Sequence, residues 1–135
     1  MPHGKRPTVL VVEDEPALRR TTLRILEGRL GYQVVLAERA EEAIGRFQLG
    51  QRFDLVISDL HLPDMDGLAL RDRLVSLGYT GPYLLVSGSE REDISREHPL
   101  PADVPFLSKP WTIDEFSATV RELLGAAGRP GSEAS

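Results

Sequence analysis

The alternation of short apolar runs with amphipathic stretches of helical length constrains the fold of this chain more than any other feature. The apolar runs are four or five residues long, as in Val9–Val12, and Gly, Pro or an acidic residue separates one strand–helix pair from the next. Strands that are apolar throughout are typical of a sheet covered on both faces, and repeated strand–helix units make such a sheet parallel. The pattern therefore predicts a three-layer α/β fold.

Five strands and four helices are predicted from this pattern. The strands are Thr8–Val12, Gln33–Leu36, Asp54–Ser58, Pro82–Ser87 and Val104–Leu107. The helices are Pro16–Leu30, Ala40–Leu49, Gly67–Leu77 and a last helix that begins after Thr112. Pro16 suits the first turn of a helix, where its missing N–H costs nothing, and Gly50 suits the C′ position after the second helix.

The last helix is predicted from its cap and from its apolar spacing. Thr112 and Glu115 have the spacing of a capping box. The residues predicted to form its inner face are Ile113, Phe116, Val120, Leu123 and Leu124. We predict one domain over residues 7–124, because 135 residues suffice for a core, and flexible polar tails at 1–6 and 125–135.

The composition excludes several classes of function. The chain has no cysteine, so disulfides, zinc–thiolate sites, iron–sulfur clusters and thiol nucleophiles are ruled out. With 21 acidic against 16 basic residues, it lacks the basic patch that direct nucleic-acid binding needs. Its apolar runs are much shorter than the about 20 residues of a membrane span, so we predict a cytoplasmic protein without membrane contact.

Polar residues collect where the predicted strands end. Glu13 and Asp14 follow the first strand, Asp59 follows the third, Ser87 ends the fourth, and Lys109 follows the fifth. Ligands of an open parallel sheet bind outside the carboxyl ends of its strands. Two acidic clusters meeting there repel each other unless a cation lies between them, and Mg²⁺ accepts such oxygen ligands. The sequence therefore predicts a Mg²⁺ site.

A carboxylate beside Mg²⁺, an ammonium group and a hydroxyl can also attack phosphorus and become an aspartyl phosphate. Each residue taken alone has a plainer interpretation. Asp59 could cap a helix, and the acidic run Glu13–Glu15 could be a solvated first-turn cluster. The combination at four strand ends favours phosphoryl acceptance.

Separated motifs in one order give the chain a family resemblance. They are Glu13-Asp14, Asp59 followed by Pro63 and Gly67, Ser87-Gly88, and Lys109-Pro110. Over about residues 7–124 the chain resembles the receiver domain of two-component response regulators, either stand-alone or within a hybrid histidine kinase. The resemblance implies a doubly wound, flavodoxin-like five-stranded sheet of order 2-1-3-4-5.

The resemblance also implies a role for each motif residue. Asp59 is the expected phospho-acceptor and also a Mg²⁺ ligand. Asp14 is expected to bind the ion directly, Glu13 through a water, and His61 through its backbone carbonyl.

Three further roles follow from the same resemblance. Lys109 is expected to pair with the phosphoryl oxygens, Ser87 to hydrogen-bond them, and Phe106 to change rotamer together with Ser87. The Lys109–Pro110 peptide bond is expected to be cis.

The function implied is a phosphorylation-controlled signalling switch, which is not an enzyme beyond assisting its own phosphorylation and dephosphorylation. Its expected donor is a phosphohistidine of a sensor histidine kinase or histidine phosphotransfer protein, and its output is contact with a downstream protein. An alternative is an aspartyl-phosphate phosphatase or phosphotransferase, which would normally carry a second Asp where this chain has His61. Flavin or dinucleotide binding is disfavoured because Glu13–Glu15 would repel a phosphate.

The chain departs from the family between the fourth and fifth strands. Residues 88–98 contain Ile94 as their only large apolar side chain, and three prolines follow at 99, 101 and 105. We therefore expect the helix of this segment, the fourth in the family's order, to be degenerate: absent, very short or mobile. Leu100 and Val104 would then cover the sheet in its place.

Two further residues each admit two interpretations. Trp111 is expected to be a packing or surface aromatic, with partner contact as the alternative. His61 is an exposed loop imidazole or a group that controls the access of water to the phosphoryl group.

Overall fold

The computed structural model describes residues 6–87, 104–108 and 111–128. The strands in these ranges are β1 (Thr8–Val12), β2 (Gln33–Ala37), β3 (Leu55–Asp59), β4 (Tyr83–Ser87) and β5 (Phe106–Ser108). The helices are α1 (Pro16–Leu23), α2 (Ala40–Gln48), α3 (Gly67–Ser76) and α4 (Ile113–Gly128). All strand pairs are parallel, and the order β2-β1-β3-β4-β5 confirms the predicted fold class.

The core forms two layers because successive strand residues point to opposite faces of the sheet. One layer packs Leu10, Val56 and Leu85 against α2 and α3. The other packs Ile57 and Val86 against Ile25 and Leu26, which follow α1, and against Phe116 and Val120 of α4. Strands buried on both faces explain why the apolar runs in the sequence show no alternation.

The first helix differs from the prediction of a regular helix through Leu30. The α-helix ends at Leu23, and Arg24–Arg29 continues as a π-helix. The Leu30 N–H donates to the carbonyl of Ile25 at 3.0 Å, a bond five residues back along the chain. The wider turn still buries Ile25 and Leu26 against the sheet.

Several predicted boundaries shift by one to four residues. Asp59 belongs to β3 because it pairs with Val86. The last strand starts at Phe106 rather than Val104, although the Pro105 carbonyl still accepts from Leu85 N–H at 3.0 Å. The helix α4 extends to Gly128, beyond Leu124.

The predicted helix ends are confirmed at two places. Gly50 follows α2 with a φ of +96°, as expected at a C′ position. Thr112 and Glu115 form the predicted capping box, with two reciprocal hydrogen bonds of 2.9 Å. One prediction for α4 is wrong. Ile113, in the first turn, is 48% exposed rather than part of the buried face.

Two expectations fall on residues that the structure does not describe. The degenerate helix expected between β4 and β5 falls within residues 88–103, and the expected cis bond falls at 109–110. Val104, just beyond the first of these gaps, is buried and packs in the α2 and α3 layer. Among the described residues, no helix has both the length and the apolarity that a membrane span requires.

Candidate functional site

The site is built where two adjacent central strands end. The strands β1 and β3 pair with Val12 opposite Ser58, so the residues that follow these two emerge side by side. Carboxylate oxygens of Glu13, Asp14 and Asp59 all lie within 4.8 Å of one another. The structure thus brings together the three carboxylates that the sequence predicted as a cluster.

The three acidic residues that follow β1 have different roles. Glu13 is buried, and its carboxylate accepts the N–H of Glu15 at 3.0 Å. The guanidinium of Arg19 donates to the backbone carbonyl of Glu13 at 2.9 Å. Glu15 caps α1 by accepting the N–H of Leu18 at 2.7 Å. Asp14 is exposed. The solvated-cluster interpretation therefore does not describe Glu13, which is held from both sides.

The carboxyl group of Asp59 lies in an environment that penalises its charge. Burial raises its pKa above the ordinary value, and the nearby charge of Asp14 raises it further. The backbone N–H groups of His61 and Leu60 act in the opposite direction and lower it in part. A cation between the carboxylates would relieve the repulsion, and three carboxylate groups are hard oxygen donors of the kind that Mg²⁺ binds. The donor set therefore fits a hard divalent cation.

The loop after Asp59 is closed by backbone hydrogen bonds. The Leu60 N–H donates to the Val86 carbonyl at 2.9 Å, and the Gly67 N–H donates to the Leu60 carbonyl at 2.7 Å. The backbones of His61 and Asp66 form an isolated antiparallel β-bridge across the loop, and His61 is exposed. The closure fixes the stretch of backbone that carries the His61 carbonyl.

Gly67 is required by a close approach rather than by its backbone angles. A Cβ at this position would lie 2.6 Å from the Asp59 carbonyl oxygen and 2.7 Å from Cδ2 of Leu85. The helix α3 can therefore begin directly against the end of β3. Asp66 caps it by accepting the N–H of Ala69 at 2.7 Å.

Sequence reasoning missed the role of Asp64. Its two carboxylate oxygens accept the N–H groups of Ala40 and Glu41, each at 2.9 Å, and so cap α2 from a loop 23 residues away. Arg39, at the N-cap position, supplies no side-chain bond. Burial raises the pKa of Asp64, but the backbone hydrogen bonds, first those of Glu41 and Ala40, together with the charge of Arg39 lower it more, so the net shift is downward. No local pattern marks this cap, because the donors lie in the first turn of α2 and the acceptor lies in the loop after β3.

The remaining predicted site residues fall partly within the described chain. Ser87 is buried and directly follows Val86, the partner of Asp59 in the sheet. Phe106 is half-buried and packs on the α2 and α3 layer. Lys109 lies outside the described residues. Trp111 stacks on Phe116 with the ring centroids 4.9 Å apart, in agreement with a packing role.

Comparison with known proteins gives concordant findings. A family model for the response regulator receiver domain matches residues 9–121. The sensor kinase CckA of Brucella abortus (strain 2308) is 37% identical over 118 residues, which cover 87% of this chain and 12% of that kinase. The response regulator receiver protein CpdR of the same organism is 27% identical, over 88% of this chain and 98% of CpdR.

Solved structures show the same likeness. The signal receiver domain of an HD domain-containing protein from Pseudomonas fluorescens Pf-5 has a TM-score of 0.79 and 26% identity, and the match covers 92% of this chain and 90% of that one. The receiver domain from the hybrid histidine kinase CckA has a TM-score of 0.68 and 33% identity, over 87% of this chain and 98% of that one.

Proposed function

Because the chain belongs to the response regulator receiver family, whose domains serve two-component signalling, we propose that it accepts a phosphoryl group on Asp59. The observation that carries this proposal is the convergence of the carboxylates of Glu13, Asp14 and Asp59. Three acidic groups so close together are costly without a cation, and a carboxylate held beside a cation is suited to attack phosphorus.

The proposed reaction transfers a phosphoryl group from a phosphohistidine to Asp59. A carboxylate oxygen of Asp59 attacks phosphorus, the P–O bond forms as the P–N bond breaks, and the imidazole leaves and takes up a proton. Mg²⁺, when bound, neutralises charge on the transferring oxygens. Asp14 would hold the ion directly, Glu13 through a water, and His61 through its backbone carbonyl.

The other proposed roles concern the phosphorylated state. Ser87, buried beside the acceptor strand, would donate its hydroxyl to a phosphoryl oxygen. Lys109 would pair with another oxygen of the group. Phe106 would change rotamer as Ser87 moves. The proposed donor is a sensor histidine kinase or a histidine phosphotransfer protein, and the output is contact with a further protein. We propose residues 7–124 as the receiver domain and the cytoplasm as its location.

The direct test is intact mass after incubation with Mg²⁺ and a small phosphodonor such as acetyl phosphate. The wild-type chain should gain one phosphoryl group, and Asp59→Asn should gain none. Asp72→Asn is the matched control, since its carboxylate lies exposed on α3, 78% accessible to solvent. Chelation of the metal should abolish the gain. Labelling of Asp59→Asn at the wild-type rate would contradict the proposal.

A further inference from the structure

Near Asp59, a buried tyrosine hydroxyl connects β4 to the start of α3. Tyr83 is the first residue of β4, and its hydroxyl donates to the carbonyl oxygen of Gly67 at 2.9 Å. Ser58, the residue before the acceptor, lies at the same helix start, with its Oγ 2.9 Å from the place where a Cβ of Gly67 would stand. The Ser58 hydroxyl donates its proton to the carbonyl of Asp59 at 2.8 Å. These groups form a small polar network inside an otherwise apolar layer.

This network completes the closure of the acceptor loop. At one end of the loop, Leu60 donates its N–H to Val86 of β4. At the other end, the Gly67 N–H donates to the Leu60 carbonyl, and the Gly67 carbonyl accepts a hydrogen bond from the Tyr83 hydroxyl. The loop is therefore tied to β4 at both ends, once through the backbone and once through the phenol.

The packing leaves little room for Gly67 to move if the phenol bond is kept. Leu85 and Ser58 lie against the space where a Cβ of Gly67 would stand, at 2.7 and 2.9 Å, so the helix start already touches β3 and β4. Tyr83 is 4% exposed, which shields its hydrogen bond from competition by water.

We propose that the Tyr83 hydroxyl is a positioning group for phosphoryl acceptance, which acts by fixing Gly67 against β4 and so orienting the Asp59 carboxylate. This inference rests on the proposed function. Tyr83 does not touch the transferred group. It sets the geometry of the backbone between the acceptor and α3, and small displacements of reacting groups have large effects on rate.

The chain supplies a matched control in Tyr79. Its hydroxyl donates to the backbone carbonyl of Pro82 at 2.6 Å, and its side chain is 5% exposed, close to the value for Tyr83. Each tyrosine hydroxyl therefore donates one hydrogen bond to one backbone carbonyl. Tyr79 makes its bond just before β4 begins, whereas Tyr83 reaches the helix start beside the acceptor.

The experiment compares Tyr83→Phe with Tyr79→Phe in the full chain. Both variants should lose similar stability in urea, because each loses one buried hydroxyl. The initial rate of phosphoryl gain with Mg²⁺ and acetyl phosphate should fall about 3–10-fold in Tyr83→Phe and change less than about twofold in Tyr79→Phe. Amide exchange of Gly67 should quicken only in Tyr83→Phe.

A second variant, Ser58→Ala, keeps the test decisive if Tyr83→Phe folds poorly, and it should slow phosphoryl gain in the same direction. If wild type is labelled at Asp59 but Tyr83→Phe matches Tyr79→Phe in rate, the inference is overturned and the proposed function stands. A wild-type chain that gains no phosphoryl group overturns both.

Discussion

Replacement of Gly67 by alanine should destabilise the protein, although alanine is the better helix former. The new Cβ would meet the Asp59 carbonyl oxygen at 2.6 Å and Cδ2 of Leu85 at 2.7 Å. Carbon atoms pack best at about 3.5–4.0 Å, so the Leu85 contact alone demands a shift of roughly 0.8 Å. Neither neighbour yields easily, since one is backbone and Leu85 is fully buried.

The magnitude follows from two opposing contributions. Overpacking of this kind costs about 1–3 kcal/mol. Helix propensity returns up to about 1 kcal/mol in a helix interior, but less at Gly67, which is the first residue of α3. We therefore expect Gly67→Ala to lower the free energy of unfolding by about 0.5–2.5 kcal/mol.

Gly45 provides the matched control, because it lies within α2 and a Cβ added there would meet no atom within 4 Å outside its own helix backbone and chain neighbours. Gly45→Ala should raise the free energy of unfolding by about 0.5–1 kcal/mol. Urea unfolding followed by far-ultraviolet circular dichroism in metal-free buffer measures both variants. A Gly67→Ala protein at least as stable as wild type would refute the argument from close approach.

Three further changes have expected outcomes. Asp64→Ala should lower the free energy of unfolding by about 1 kcal/mol at pH 7 through loss of the cap on Ala40. Since the pKa of Asp64 is lowered in the folded protein, this loss should shrink as the pH falls from about 4 through that pKa. An equal loss in urea titrations at pH 6 and pH 3 would contradict this prediction. Thr112→Ala should cost about 0.5–2 kcal/mol by breaking the capping box with Glu115, measured in the same way, and an unchanged value would show that the box adds nothing. His61→Ala should change the dephosphorylation rate, measured by mass spectrometry, more than the Mg²⁺ affinity, measured by calorimetry, because the proposed metal contact uses the backbone. Equal dephosphorylation rates in the variant and the wild type would leave His61 an ordinary loop residue.

The strands and the candidate site could be predicted because their signals are local. A run such as Val9–Val12 is apolar without alternation because both of its faces are buried, and this is visible in the sequence itself. The acidic residues after it, and Asp59 after the third run, follow strand ends directly. Parallel pairing then brings these residues to one edge without further information.

The features that were missed depend on contacts between distant residues. The cap that Asp64 places on α2 joins the loop after β3 to the first turn of an earlier helix, and Asp64 alone looks like any turn residue. The hydroxyl of Tyr83 meets Gly67 only after β4 and α3 have packed. The π-helix at Arg24–Arg29 packs Ile25 and Leu26 on the sheet, whereas helical periodicity in the sequence predicts a regular turn.

The strand order also bears on how the protein can be assembled while it is being synthesised. Since β2 joins β1, and β3, β4 and β5 then join in turn on the other side, each new strand meets a free outer edge. None of the five described strands has to be inserted between two that are already paired. The N-terminal part of a chain leaves the ribosome first, so the sheet can grow in the order of translation. The three clustered carboxylates are complete by residue 59, well before Ser87, so a nascent chain holds the elements of its proposed cation site before it holds those that would engage a phosphoryl group.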